Sequence, residues 1–441
     1  MELKFKNFMV NDIKFGDKNL YQSSDGILTI NKDEVIKFLL ESDEHLTDVK
    51  LEIVKPGENV RIVPVKDAVE PRYRVGSENY FSGVTGKVEN CGNGVTHALK
   101  GMSILGVGGT WGSFGDGVID MGGEGAKYTY FSKLINLCVV AETDEEFERH
   151  EQQKKNTAIR MAILRLSEYL GKLTKDLDSD DIETYTLKPR KEYNKDLPNV
   201  VLVTQSQSQL EEPGYNALIY GWDMNNFVPT IIHPNEMLDG AFISGSFMPC
   251  SSKWSTYDTM NAPIIKELFA RDGVDLNFVG MIASNLNVSL EQKERSAMFV
   301  ANLAKSLEAD GAIVAEEGYG NPDADFIGCI DALEDVGVGT VGLTNECTGR
   351  DGLSQPLVTL SEQANAIVSC GNVSQLLRIP PCEKVIGCLE ALSRDGLSGG
   401  WADDDILGPS VKEDGSIILE NNSMFCGDQV LGWSRKKVNE F

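Results

Sequence analysis

Three short apolar runs, each followed at once by a polar loop, constrain the fold of this chain most. The runs are AIVA, TVGL and AIVS, and with their loops they occupy residues 312–325, 340–352 and 366–372. Between the first two, apolar residues recur at three- and four-residue spacing from Phe326 to Val336, which predicts an amphipathic helix. Strand, helix and strand in this order predict a parallel sheet with crossover helices. Ligands of such sheets bind beyond the carboxyl ends of the strands, so we expect the active site in these loops.

The predicted fold class is α/β, arranged in two domains. A length of 441 residues with 41% hydrophobic residues is enough for two cores. Residues 1–195 combine hairpin-like alternation with a long helical pattern over 144–173, which predicts a β-rich α+β domain. A charged, proline-containing stretch then marks a boundary near residue 195. Residues 196–441 are predicted to form a doubly wound, mostly parallel sheet that binds the substrate.

Local signals define several elements of the second domain. Pro263 stands where a first-turn proline belongs, and a helix is predicted to follow it. Ser289 and Gln292 have the spacing of a capping box at the start of another helix. The glycine-rich stretch 90–125 lacks the features of either nucleotide fingerprint, so we interpret it as tight turns between short strands.

The composition excludes several classes of protein. Acidic residues outnumber basic ones by 67 to 41, a net charge of −26, which argues against nucleic-acid and anionic-membrane surfaces. Nine cysteines without a C-x-x-C pair and only four histidines give no metal-ligand spacing, so no metal is expected. We predict a cytoplasmic protein with free thiols, because no apolar run is long enough for a membrane span or a signal core.

The first loop places two adjacent acids at a predicted strand end. Glu316 and Glu317 are followed by two glycines and by Asn321. Two carboxylates beside flexible backbone suit the binding of an ammonium group or the transfer of a proton. The alternative is that acids at this position only cap the helix that follows.

The second and third loops carry the remaining candidates for substrate contact and catalysis. The candidates are Thr344, Asn345, Glu346, Cys347, Arg350, Asp351 and Cys370. Cys347 is a nucleophile if the backbone amides that follow it lower its pKa, although a lone cysteine is more often inert and buried. For Cys370, a buried thiol at the end of a strand is the simpler interpretation.

A polar island at residues 248–263 contains Cys250, Ser251 and a second serine. A cysteine or serine in a strained turn can attack the preceding carbonyl and shift the chain to an ester or thioester. Elimination and hydrolysis then leave an amino-terminal pyruvoyl group, whose carbonyl can hold a primary amine as an imine. From composition alone, a polar surface loop is the better explanation of the island.

Several long strings in this chain resemble one known family. They are VRIVPVKDAVEPR, THALKG, GDGVIDMGGEGAKYTYFSK, DLNFVGMIASN, EEGYGNPDAD and TGRDGLSQPL. The chain resembles, over roughly residues 1 to 390, the α-plus-β proprotein of component B of the glycine, sarcosine and betaine reductases. D-proline reductase is a more distant relative.

The resemblance implies a reductive deaminase that works with other proteins. In this family the proprotein cleaves itself at a cysteine to leave a pyruvoyl group, and it supplies substrate specificity. A selenoprotein subunit of component B breaks the C–N bond of a small amine, and the carbon fragment passes to the carrier selenoprotein, component A. The implied cofactor is therefore a covalent pyruvoyl group, provided that the chain is cleaved.

One departure from the family pattern bears on that cofactor. The precursor cysteine of the family directly follows Ser-Gly-Asn, whereas here Ser244 and Gly245 are followed by Ser246 and Phe247. Either the cleavage point lies at Cys250 or Ser251, or this chain is not processed. An unprocessed chain has no carbonyl for an imine and suits a quaternary ammonium substrate.

The leading hypothesis is a substrate-binding subunit whose loops hold a small zwitterion. Arg350 would take the carboxylate through its two-donor fork, while Glu316, Glu317 and Glu346 face the cationic nitrogen. Two alternatives remain open. One is an unprocessed subunit that only docks the selenoprotein, and the other is a cofactor-independent isomerase or racemase that uses the thiols of Cys347 and Cys370.

Overall fold

A computed structural model describes residues 1–144, 152–210, 216–245, 248–394 and 407–432. Twelve strands precede residue 195: β1 Glu2–Met9, β2 Asp12–Phe15, β3 Leu20–Gln22, β4 Ile27–Ile30, β5 Leu46–Val54, β6 Val60–Val69, β7 Arg72–Arg74, β8 Gly94–Lys100, β9 Met102–Gly108, β10 Gly117–Asp120, β11 Ile135–Thr143 and β12 Ile182–Thr186. The strands that follow are β13 Asn199–Ser206, β14 Leu218–Ile219, β15 Trp222–Asp223, β16 Thr230–Ile232, β17 Phe242–Ile243, β18 Asn277–Asn285, β19 Gly311–Glu316, β20 Gly339–Glu346, β21 Ile367–Asn372, β22 Leu376–Ile379, β23 Lys384–Gly387 and β24 Ile417–Glu420.

Eight α-helices lie in the described residues, and the sixth and seventh of them pack on the parallel sheet of the second half of the chain. The bounds are α1 Lys32–Ser42, α2 Gln152–Gly171, α3 Pro234–Leu238, α4 Thr256–Asn261, α5 Pro263–Arg271, α6 Leu290–Ser306, α7 Asp323–Asp335 and α8 Ala391–Arg394. Pro263 opens α5, and Ser289 caps α6 in a reciprocal capping box with Gln292, so both local predictions are confirmed. Helix α2 falls within the predicted 144–173, of which residues 145–151 lie outside the described part.

A six-stranded sheet carries the loops on which the sequence analysis centred. Its strand order is β16-β18-β13-β19-β20-β21. All neighbouring pairs from β18 to β21 are parallel, and only the edge strand β16 is antiparallel. The predicted strand, helix and strand are β19, α7 and β20. The mixed α/β class and the parallel arrangement of these strands are therefore confirmed.

Alternating side chains of β13 explain why helices cover both faces of this sheet. Val201 and Val203 pack with residues of α6 and α7, such as Val300. Leu202 points the other way and packs with residues of α5, such as Ile265. A strand that is buried on both faces needs a continuous apolar run, which is the pattern that the sequence shows here.

The early part of the chain forms a small mixed sheet with the order β2-β4-β3 and two larger sheets of mixed direction. One has the order β12-β1-β8-β7, and the other has the order β10-β6-β9-β11-β5. Strands β8, β9 and β10 come from the glycine-rich stretch and are joined by turns, as predicted. Strand β23, from late in the chain, pairs in parallel with β6, placing Lys384 opposite Val60.

Candidate functional site

The carboxyl ends of β13, β19, β20 and β21 lie side by side at one edge of the parallel sheet. Gln205 pairs in register with Glu316, and Glu346 pairs with Asn372. The polar loops that follow the three apolar runs therefore start at the same edge, where a ligand of a parallel sheet is expected.

The two adjacent acids, Glu316 and Glu317, face different surroundings. The Glu316 carboxylate accepts a hydrogen bond from the Thr344 hydroxyl at 2.5 Å, on the side of the sheet that α7 covers. Burial, followed by the nearby Asp323 carboxylate, raises the pKa of Glu316 well above its usual range. The start of α7 has no side-chain capping hydrogen bond at its N-cap, Pro322, so the structure gives no support to the capping alternative for Glu316. The structure does not bring it together with Glu317.

Glu317 faces the polar island instead. Its carboxylate accepts hydrogen bonds from the backbone amides of Gln207 at 2.8 Å and Trp254 at 3.0 Å. Burial raises the pKa of Glu317 from 4.5 to about 7, and the two amide hydrogen bonds oppose that shift. Among the described residues Glu317 forms no salt bridge. A cation brought next to it would therefore be its first direct ionic partner.

Polar side chains with unused hydrogen-bonding atoms lie in the segments that contact this carboxylate and in the segments joined to them through Asp428. We define the buried polar cluster as Glu317, Gln207, Ser251, Trp254, Asn345, Asn421 and Asn422. Apart from Glu317, each has at least one buried side-chain nitrogen or oxygen without a hydrogen-bond partner in the described chain. Native proteins rarely leave so many such atoms unpaired in one place, because each costs about 1 to 3 kcal/mol. We interpret the cluster as the lining of a site for a polar ligand.

Hydrogen bonds through Asp428 connect Ser251, Asn345 and Asn421 of the cluster. The Asp428 amide donates to the Ser251 carbonyl at 2.9 Å, and the Asp428 carbonyl accepts from the Asn345 side chain at 2.8 Å. The Asn421 side chain donates to the Asp428 carboxylate. Residues 421–429, here called the return segment, thus close over the carboxyl edge of the sheet and join it to the island.

Tyr319 marks the outer limit of the cluster. Its hydroxyl accepts a hydrogen bond from the Asn422 side chain at 2.6 Å. Burial raises the pKa of this hydroxyl, and the nearby Cys347 thiol and Glu420 carboxylate act in the same direction. Tyr319 therefore separates the buried cluster from the partly exposed loop that begins at Cys347.

The other predicted residues of the second loop lie on this outer rim. The Arg350 guanidinium donates through Nε to Glu420 at 2.9 Å. Glu346 accepts from the Ser369 hydroxyl at 3.0 Å, and the Asp351 carboxylate accepts from the Leu353 amide in a local turn. The structure places all three at the surface or close to it rather than in the buried cluster.

Asn321 and the two candidate thiols differ in exposure and in their contacts. Asn321 is exposed and accepts from Gln209 and Lys293. Cys347 is exposed with its thiol 3.4 Å from the Ser374 hydroxyl, whereas Cys370 is buried and its pKa is raised to about 12 by burial. Because the Cys370 thiol stays neutral at physiological pH, the geometry gives no support to a mechanism that uses both thiols.

Comparison with known proteins decides the family. The family model described as glycine/sarcosine/betaine reductase component B subunits matches residues 1–439. The chain belongs to this family. Its members are parts of reductase complexes, so the chain is a component B subunit of an oxidoreductase.

Curated relatives of this component B subunit cover its whole length. It is 62% identical to the betaine reductase complex component B subunit alpha of Peptoclostridium acidaminophilum, over 100% of both chains. It is 40% identical to the glycine reductase complex component B subunits alpha and beta of the same organism, over 98% of both. The sarcosine reductase complex component B subunit alpha of that organism is 39% identical over 99% of both chains. No solved structure matches.

The residues of the island do not fit the formation of a pyruvoyl group at Cys250. The Cys250 side chain is fully buried, and its thiol donates to the Asn422 carbonyl at 2.8 Å. Burial holds the pKa of this thiol well above its usual range, so the thiolate needed for an acyl shift is scarce. The Ser251 hydroxyl has no hydrogen-bond partner among the described residues that could take its proton. Ser246 and Phe247 lie outside the described residues.

Sequence analysis missed four of the seven residues of the buried polar cluster. Gln207, Trp254, Asn421 and Asn422 were not among the candidates. A signal for the first was present, because TQSQ follows the apolar run of β13 as the other loops follow β19 and β20. The return segment had no comparable signal, since its role depends on contacts with distant parts of the chain.

No helix in the described part of the chain has the length and apolar character of a membrane span.

Proposed function

We propose that this chain binds betaine, or a similar quaternary ammonium acid, and presents it for reductive cleavage of the C–N bond. The relative with 62% identity is named as a betaine reductase subunit, whereas those named for glycine and sarcosine are 40% and 39% identical. Substrate preference follows the residues of the site, so the larger similarity favours the quaternary substrate.

The surroundings of Glu317 are the observation that carries this proposal. The buried carboxylate forms no salt bridge in the described chain, although Lys253 and Arg160 act on it at longer range. The two segments whose backbone amides hold it carry buried donors without acceptors, namely Gln207 Nε2, Trp254 Nε1 and the Ser251 hydroxyl. A zwitterion supplies both missing groups, because its cation would pair with Glu317 and its carboxylate would accept from the donors. The indole of Trp254 also gives an aromatic surface of the kind that binds quaternary ammonium groups.

Binding of the cation also fixes the charge of Glu317. With its pKa at about 7, the empty site exists partly in the protonated form, and a neighbouring cation favours the carboxylate. The ionised Glu317 then orients the C–N bond for attack by the selenoprotein of component B. The carbon forms a new bond to selenium as the C–N bond breaks. The amine leaves as a neutral molecule with the electron pair of that bond, so this chain need not donate a proton.

We infer that the chain works without cleavage. A quaternary nitrogen cannot form an imine, so a pyruvoyl carbonyl would have no use, and the buried, neutral Cys250 thiol is poorly suited to make one. Mass spectrometry of the purified protein tests this. We expect a continuous peptide across Cys250 and Ser251 and no reaction with phenylhydrazine. Two fragments with a blocked new amino terminus would contradict it.

Calorimetry with matched ligands tests the substrate. We expect betaine to bind the isolated chain more tightly than glycine. In 3,3-dimethylbutanoate a neutral carbon atom replaces the quaternary nitrogen of betaine. It should bind at least about tenfold more weakly than betaine, because a charge-assisted contact is lost. Equal affinities for betaine and the isostere would show that Glu317 does not recognise the cation.

Two broader expectations belong with this proposal. We place the activity in the cytoplasm, in keeping with nine cysteines and no spanning helix among the described residues. We also retain the division into residues 1–195 and 196–441 as a proposed organisation in which the second part supplies most of the substrate contacts.

A further inference from the structure

An open groove runs between α6 and α7 on the surface of the molecule. It has a volume of about 620 Å³ and a floor of small residues, which are Ala297, Ala301, Ala324, Gly328 and Ala332. The side chains of Leu290, Met298 and Leu360 line the groove and are 66%, 53% and 62% exposed. Large apolar side chains this exposed, and gathered in one place, are typical of a surface that another protein covers.

Gly328 gives the groove a feature that the fold alone does not explain. It lies in the middle of α7, where glycine destabilises a helix by about 1 kcal/mol relative to alanine. A Cβ atom at this position would meet nothing within 4 Å. The absence of a side chain therefore gives no packing advantage within the described chain, but it does leave the groove floor open to a partner.

The walls of the groove carry uncompensated negative charge. Glu294, Asp331 and Asp335 line it, and none of them forms a salt bridge with a described residue. One oxygen of Asp331 is buried without a hydrogen-bond partner in the described chain. The single lysine of the lining, Lys293, is already paired with Asp325. A partner with lysine or arginine side chains would compensate the charge of these acidic residues.

The groove also leads to the candidate site. Both helices begin at the carboxyl edge of the parallel sheet, so Leu290 and Ala324 lie at the end of the groove nearest that edge. Lys293 connects the two regions, because it lines the groove and donates to the side chain of Asn321 at 2.9 Å. A chain segment lying along the groove would therefore end beside the loops that surround Glu317.

We propose that this groove docks a helix of another subunit of the complex, with an apolar ridge flanked by lysine or arginine. Apolar floor and acidic walls match such a helix, and the family description refers to component B subunits in the plural. The position of the groove lets that subunit reach the substrate. This last step rests on the proposed function, whereas the docking itself does not.

Assembly of the complex tests the proposal with matched variants. The groove variants are Leu360→Asp and Gly328→Leu, and Val274→Asp is the control because Val274 is 74% exposed and does not line the groove. Sedimentation of each variant with the other component B subunit gives the dissociation constant. We expect it to rise at least about tenfold for the groove variants, as for loss of a central apolar contact, and to stay unchanged for the control. Asp331→Asn combined with Asp335→Asn should weaken assembly and reduce its dependence on salt.

The outcomes separate docking from substrate binding. Groove variants that assemble with wild-type affinity would overturn the proposal, as would a groove variant that only converts a dimer of this chain to a monomer, since the occupant would then be a second copy. Betaine binding to the isolated chain should be unchanged in every groove variant. A wild-type chain that fails to bind betaine, yet assembles through the groove, would refute the proposed function and leave the docking site intact.

Discussion

The backbone amide of Trp254 donates a hydrogen bond of 3.0 Å to Oε1 of Glu317, and this contact joins the polar island to the end of β19. Together with the amide of Gln207, this hydrogen bond fixes both oxygens of the carboxylate. The same hydrogen bond attaches the island to the loop that follows β19. The position of Glu317 thus depends on a loop about sixty residues earlier in the chain.

Replacing Glu317 should affect binding far more than folding. In Glu317→Gln the backbone hydrogen bond can persist while the negative charge is lost. We expect betaine affinity to fall at least about tenfold, because a hydrogen-bonded charge contributes about 1.5 to 3 kcal/mol. Glu316→Gln is the matched control, since that carboxyl accepts from the Thr344 hydroxyl on the side of the sheet that α7 covers, and the affinity of this variant should change little. Calorimetry measures both, and equal losses would show that the two acids share the site.

Stability should fall as the pH rises toward neutrality. The pKa of Glu317 is raised from 4.5 to about 7 in the folded chain, so the unfolded chain loses this proton first. The stability that the protonated carboxyl contributes is present below about pH 4.5 and lost as the pH rises to about 7, on the order of 3 kcal/mol. Asp258, also with its pKa raised to about 7 by burial, acts with the same sign. Urea denaturation across this range should give a flatter profile for Glu317→Gln than for the wild type.

Betaine binding should change with pH in the opposite direction. Only the ionised Glu317 attracts the cation, so affinity should increase as the pH rises through about 7 and level off above it. Titrations at several pH values check this, and Glu317→Gln should abolish the dependence. A pH-independent affinity in the wild-type chain would argue that the cation is held elsewhere.

Arg350 and Trp254 offer two different ways to hold the substrate carboxylate. If Arg350 holds the carboxylate, Arg350→Lys should weaken binding on the order of 1.5 to 3 kcal/mol, because the two-donor fork is lost. The contact of Arg350 with Glu420 gives it a second role, for which Glu420→Gln is the control. Trp254→Phe removes the indole donor, which has no partner in the described chain, and leaves a smaller aromatic ring at this buried position. If only Trp254→Phe reduces affinity, the carboxylate lies inside the cluster and the Arg350 hypothesis is wrong.

Replacing each of two glycines near α7 by alanine should change the stability of the chain in opposite directions. Gly328→Ala is expected to stabilise the isolated chain by about 0.5 to 1 kcal/mol, since helix propensity improves and the new Cβ meets nothing within 4 Å. Gly342→Ala should destabilise it, because the new Cβ would lie 2.3 Å from Cζ of Phe326. Thermal denaturation of the two variants checks both signs.

The parallel sheet could be predicted because its signals are local. The apolar runs of β19 and β20 and the period of α7 follow from burial on both faces, and Ser289 and Pro263 act within one turn of their helices. Side chains alternate between the two faces of a sheet along a strand, so the sequence could also have predicted that Glu316 and Glu317 face opposite sides. The return segment could not be predicted, because its contacts with Ser251 and Asn345 join positions that no local rule relates.

The pairing of β23 with β6 has a consequence for the synthesis of this protein. Strand β6 emerges early from the ribosome, but β23 becomes available only after most of the chain has been made. Until then the backbone of Val60 and its neighbours lacks a partner strand that it has in the finished molecule. A truncated product ending before Lys384 would expose this edge, so we expect such fragments to aggregate or to be degraded rather than to accumulate as folded domains.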